Sequence, residues 1–258
     1  NAEALWLFHL AYESNGDSEK ATQMLQAILQ FLNGRRTMSD ENTIVFLGRA
    51  ALKSNGYDPK QVKENLYDRV LKSDPENREA LLAVGELALA KRDFKLAGET
   101  FTRAVGYYPE DADLLHGLAK AYAESDPSQM EEPLHTAMFI NPDHVPSLLL
   151  QAHNQADAEQ YDVANGILKA IFKVNPHHAE SWALQAAIHN VRNEPEKAKA
   201  ARASGLKFWK TNPLVDHEIG KKLSSKYLFA EGAEHQRQAL QFSKDYIPAK
   251  TQLAQDLL

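Results

Sequence analysis

The chain has 258 residues, 43% of them hydrophobic, with 29 basic and 35 acidic side chains and a net charge of −6. This apolar content is too high for a disordered polymer, and the mixed, net-negative charge argues against a general nucleic-acid binder, whose affinity comes from neutralising phosphates. There is no cysteine, which excludes a disulfide framework, a thiolate zinc site and a cysteine nucleophile together.

Taken in chain order, the apolar residues fall at helical spacing in successive pairs of short runs. Residues 2–35 predict a first pair, with Leu5, Phe8, Tyr12, Gly16, Ala21, Leu25 and Ile28 at its apolar positions. An extra stretch, 36–43, precedes a second pair over 44–77, which carries Leu47, Ala50, Ala51, Tyr67 and Val70. The third, 78–111, is the cleanest. Leu81, Val84, Gly85 and Ala88 line its first helix, Ala97, Phe101 and Ala104 line the second, and Pro109 closes it. The fourth, 112–144, is one residue short and holds Leu115, Leu118, Ala119, Tyr122, Leu134 and Ala137. Residues 145–178 use Leu148, Ala152, Ala164, Leu168 and Ile171, and 179–212 use Trp182, Ala186 and Ala198. The seventh pair, 213–246, has Ile219, Gly220, Leu223, Phe229, Gly232 and Ala239, and 247–258 starts an eighth with Leu253, Ala254 and Leu257.

Pro75, Pro109, Pro142 and Pro176 stand 34, 33 and 34 residues apart. This period, with its recurring bulky, small, Ala, aromatic, Ala and Pro positions, resembles the tetratricopeptide repeat. The resemblance implies an all-α fold: a right-handed superhelical solenoid of antiparallel helix pairs, about seven repeats and a truncated eighth, forming a single array over 1–258. Small residues suit the sites where two helices of a hairpin touch. The last third departs from the pattern. Arg202 and Gln236 occupy positions that call for a bulky apolar group, Asp216 and Lys250 replace the bulky opening residue, and Lys210 and Lys244 replace the closing proline.

At the two ends, Asn1-Ala2 runs straight into a helical pattern, which is compatible with a leader removed upstream. Leu253, Ala254, Leu257 and Leu258 give the final helix an apolar face without a partner. That face predicts a segment of a longer protein and offers a surface for a dimer through the C-terminal helix. No apolar run reaches the roughly 18 residues of a membrane span, and the composition suits cytoplasm and periplasm alike.

Reactive constellations are missing. His217-Glu218-Ile219-Gly220-Lys221 puts lysine where a zincin needs its second histidine. His177 and His178 are adjacent, so they point about 100° apart and read as an exposed turn. His116 and His153, near Asp113, Glu124 and Asp157, read as hydrogen-bonding groups before metal ligands. No glycine-rich phosphate cradle or nucleophile elbow occurs. The chain is therefore expected to be no enzyme and to need no cofactor or metal.

The resemblance further implies that the first helix of each pair faces a concave groove holding a peptide or protein segment. The residues that fall there are Trp6, Leu10, Leu52, Glu79, Leu82, Glu86, His116, Lys120, Leu149 and His153. One subfamily clamps a C-terminal carboxylate with Lys and Asn on its first repeat; here Trp6 and Leu10 hold those places, and Glu79 and Ala83 hold the later basic ones. Leu with Glu and Asp suits an apolar or basic segment, or another domain of the same chain. The main alternative is a regulatory or substrate-presenting arm of a larger enzyme, such as a bacterial metallopeptidase-like protein. RNA-binding helical repeats of similar period are disfavoured by the acidic groove residues.

Overall fold

A computed structural model describes residues 1–33, 40–54 and 56–258, so 36–39, half of the extra stretch at 36–43, lie outside the described residues. Short polar side chains start the helices by accepting bonds from first-turn amides. Asp40 accepts from the Thr43 N–H, Asn77 from Ala80, Asp93 from Leu96, Asp111 from Asp113 and Leu114, and Asn212 from Leu214.

The chain divides into two compact units, 1–147 and 148–258. In the first, α1 (Ala2–Ser14) pairs with α2 (Ser18–Asn33). α3 (Glu41–Lys53) pairs with a helix in three pieces: α4 (Pro59–Val62), a π-helical turn Lys63–Tyr67, and α5 (Asp68–Ser73). α6 (Arg78–Ala90) pairs with α7 (Phe94–Tyr107), and α8 (Ala112–Ser125) with α9 (Glu131–Ile140). α10 (Val145–Asp157) begins at the division, and the second unit continues with α11 (Tyr161–Val174), α12 (Ala179–Val191) and α13 (Pro195–Gly205). It ends with α14 (Pro213–Ser224), α15 (Phe229–Phe242) and α16 (Ile247–Asp256). No strand occurs among the described residues.

In the first unit the core is built by putting an aromatic ring against glycine. Phe101 of α7 is fully buried, and a Cβ added at Gly85 of α6 or Gly117 of α8 would come within 2.4 or 2.3 Å of its ring. One side chain thus fills the space between its own hairpin and the next. Tyr67 stands in the same way against Gly48.

The first hairpin corrects one expectation. Phe8 is 56% exposed, and the inward stripe of α1 is Ala2, Leu5, Trp6 and His9. The reason is an exchange of sizes. α1 carries the His9 ring at the position where α3 and α6 have Gly48 and Gly85, and α2 faces it with Leu25. The buried His9 lies within 3.0 Å of the Ala21 carbonyl, which can only accept, so Nδ1 bears the proton. Phe229 also departs from its expected inward place, lying 47% exposed beside the Tyr227 ring.

Five hairpin turns share one backbone feature. Arg92, Glu159, Asn193 and Tyr227 all have φ between 56° and 63°, and Gly16 has φ 75°. Each is the residue that lets the chain reverse between the two helices of its pair, and glycine supplies it without strain only in the first.

In the second unit the departures pair with one another. Arg202 of α13 makes two bonds to Asp216 of α14, at 2.7 and 2.6 Å, and His235 of α15 adds a third at 2.8 Å. Asp216 has no exposed surface. Burial pushes its carboxyl up, but the bonds from His235 and Arg202 hold it below the usual value. Gln236, also fully buried, clasps His217: its Oε1 accepts from the ring Nδ1 at 2.9 Å and its Nε2 donates to the His217 carbonyl at 3.1 Å. Polar residues thus replace the aromatic plug, with these five hydrogen bonds supplied locally.

His178 is not merely an exposed turn. Its Nδ1 caps α12, accepting from the Ser181 amide at 3.4 Å and lying 2.9 Å from the Ser181 hydroxyl. Trp182 is half-buried, stacked on Phe172 at 3.9 Å between ring centres, with its indole N–H donating to the Pro176 carbonyl.

Candidate functional site

The first helices α1, α3 and α6 of the first unit, with Tyr57, Pro59 and Tyr67, line an open hollow of about 520 Å³. Small residues make the space: Ala83 and Ala90 of α6 present little side chain. Trp6 forms one wall, Leu52 and Leu87 supply apolar lining, and Tyr57 stands exposed at the rim. Arg49 reaches in from α3, over the Phe46 ring, to Glu86 at 2.9 Å and Glu79 at 3.7 Å. Its Nε has no hydrogen-bond partner. Glu86 keeps about half its side-chain surface, yet its depth in the wall raises its carboxyl pKa, with Arg49 opposing the rise. Lys53 also lines the hollow and pairs with Glu13 at 2.8 Å.

Of the ten residues predicted for a groove, Trp6, Leu52 and Glu86 line this hollow, and Glu79 touches it through Arg49. Leu10 is 40% exposed and does not line it. Leu82 is half-buried against the Phe101 cluster. His116 and Lys120 lie on α8, where the His116 ring meets His144 edge-on at 5.7 Å. His144 in turn bonds Asp113 at 3.1 Å and Ser147 at 2.8 Å. The His144 bond is the largest reason that the Asp113 carboxyl falls to about 2, and Arg78 adds to it. Burial, then Lys120, lowers His116 to about 4.

Leu149 and His153 belong to the second unit. Both are half-buried. Burial, followed by Lys222 and Lys221, lowers His153 to about 3. Beside it, Lys222 bonds Asp157 at 2.8 Å, and Lys226 bonds the Asp157 carbonyl at 2.8 Å. These two lysines tie α14 and the turn after it to the end of α10, past the intervening hairpin.

Arg49, Tyr57, Leu87 and Lys91 also line the hollow and were not among the predicted groove residues. A signal existed for Arg49, which lies one helical turn before Leu52-Lys53 on α3. Tyr57 sits in a connection, where periodicity carries no information. Among the described residues, no three metal-donor side chains converge. No helix among them is long and apolar enough to cross a membrane.

No protein-family profile matches the chain, and no curated protein matches it. Solved structures do. A tetratricopeptide repeat protein from Parabacteroides merdae superposes with a TM-score of 0.64 at 15% identity, covering 100% of this chain and 99% of the other. The fold is a tetratricopeptide fold. Pseudomonas aeruginosa pilF gives a TM-score of 0.53 at 16% identity over 81% of this chain and 92% of its own. A chain of the Cut9–Hcn1 assembly of APC/C gives 0.51 at 15% identity, covering 100% of this chain and 55% of that one.

The two lowered histidines make a prediction about acid. Each has a folded pKa beneath its ordinary 6.5, so the unfolded state takes up the proton first. The stability each contributes is complete above pH 6.5. It is lost as the pH falls toward about 4 for His116 and about 3 for His153. The loss is at most about 1.4 kcal/mol per pH unit for each group. Melting curves over this range are expected to be flatter in His153→Gln than in the parent chain; equal slopes would remove His153 from the account.

Proposed function

We propose that the chain is a non-catalytic protein-interaction scaffold, and that the hollow of the first unit receives an apolar side chain of an extended peptide or protein segment. The supporting observation is the hollow itself: apolar walls of Trp6, Leu52 and Leu87, with a rim tyrosine and the Arg49–Glu86 pair at hydrogen-bonding height. Such a lining favours an aromatic or aliphatic anchor, with polar rim groups left to meet the segment's backbone. The tetratricopeptide fold is compatible with this role, since solenoids of stacked repeats offer extended binding surfaces.

The test is selection from a displayed random-peptide library, followed by affinity measurements on Tyr57→Ala and Leu52→Ala. Selected sequences should share one large apolar residue. Each variant should bind about tenfold more weakly, the equivalent of about 1.4 kcal/mol, without losing helicity. Unchanged affinities, or a library with no enrichment, would reject the proposal.

A further inference from the structure

A second hollow, of about 400 Å³, lies beside the first along α6. Pro59, Leu87 and Lys91 line both, so these three form the ridge between them. The helix period explains the arrangement. Leu87 and Lys91 stand one turn apart in a column at the end of α6. Ala83 and Ala90 fall on one side of that column, toward the first hollow, and Val84 and Ala88 on the other, toward the second. Val84, Ala88 and the half-buried Leu96 give the second hollow an apolar floor. The first unit thus holds two apolar seats side by side, with a lysine on the divide.

The charges around these seats differ in whether they are already engaged. Glu79 and Glu86, the acids that favour a basic segment, both face Arg49. Asp58 and Asp93, on the rim of the second hollow, each accept from an amide at the start of a helix, Lys60 at 2.9 Å and Leu96 at 3.1 Å. There the helix dipole offsets their charge. Among the lysines, Lys53 pairs with Glu13 at 2.8 Å and Lys63 with Asp68 at 2.9 Å. Lys60 comes only to 3.9 Å from Glu64, and both are exposed. The Lys91 ammonium is exposed and has no hydrogen-bond or ion-pair partner among the described residues.

We propose that the segment held in the first hollow also fills the second, and that it carries an Asp or Glu side chain between its two apolar residues, paired with Lys91. This rests on the scaffold reading above and gives the segment its chemistry: acidic and apolar, not basic. An extended chain advances about 3.3 Å per residue, so apolar side chains on either side of a ridge one side chain wide are only a few residues apart. The flexible four-carbon stem of Lys91 lets its ammonium reach a carboxylate carried between them.

The test is a selection from a displayed random-peptide library whose members are fused at both ends, so that no terminal carboxylate is offered. It is run in parallel on the parent chain and on Lys91→Glu. The parent should enrich peptides with Asp or Glu between two large apolar residues, and Lys91→Glu should enrich Lys or Arg at that place. A synthetic copy of a parent-selected peptide, capped at both ends, should bind Lys91→Gln about threefold more weakly, the size of an exposed ion pair. The same peptide with Gln for its acid should bind the parent and Lys91→Gln equally. Circular dichroism should show unchanged helicity in both variants. Enrichment of an apolar anchor without an acid overturns this inference and leaves the scaffold reading standing, and so does an acid that Lys91→Glu selects as strongly as the parent. Peptides with a single apolar residue overturn the second seat. No enrichment at all rejects the scaffold reading and this inference together.

Discussion

Phe101→Ala is expected to destabilise the first unit by about 3–5 kcal/mol, the range for deleting a buried aromatic ring from a core that cannot collapse. The local geometry puts it at the upper end. The ring is fully buried between Gly85 and Gly117, neither of which has a side chain to move into the space. Both hairpin junctions lose their filling together, since the ring serves α6 and α8 at once. Phe101→Leu should cost less, because it leaves a smaller cavity. Urea denaturation followed by circular dichroism measures both. A loss below about 1 kcal/mol for the alanine variant would show that the glycine helices close the gap.

The second large effect is expected at Arg202. Arg202→Ala removes two bonds from a carboxylate with no exposed surface and leaves it with His235 alone. Stranding a buried charge in this way typically costs about 3–5 kcal/mol. The double replacement Arg202→Leu with Asp216→Leu should recover most of that loss, since an apolar pair of similar volume is often neutral or better. It also restores the apolar character that the repeat pattern assigns to both positions. If Arg202→Ala is as stable as the parent chain, water or His235 alone satisfies Asp216. If the double variant is worse than the single, the ion pair is needed for the packing of α13 on α14.

The fold was legible because its determinants are periodic. Gly85, Ala88, Ala97, Phe101 and Ala104 recur at spacings that a helix hairpin turns into one buried seam, and Gly85, Ala88, Ala97, Phe101 and Ala104 are all buried. The first helix was harder to read. Phe8 and His9 are neighbours, and hydrophobicity favours Phe8 as the inward residue. What decides the matter is that a ring on α1 removes the need for a ring on α2. Arg202 and Asp216 were visible as departures, but their partnership was not, because side-chain hydrogen bonds between hairpins leave no period in the chain. The hollow was half legible: Trp6, Leu52 and Glu86 follow the first-helix register, whereas Tyr57 lies in a connection.

Lys222 of α14 and Lys226 of the turn after it give the second unit a mechanical property. Lys222 and Lys226 keep only 12% and 15% of their side-chain surface, and they join α14 and the turn after it to the end of α10 across the hairpin between them. Stretching that stack would have to break charge pairs before it could part the apolar seams, so its initial stiffness is electrostatic. Salt screens exposed charges over a Debye length of about 8 Å at physiological ionic strength, but partly buried contacts such as these much less. The second unit is thus expected to act as a spring whose first resistance to extension persists as salt is added, with its rest length set by the small residues packed beneath.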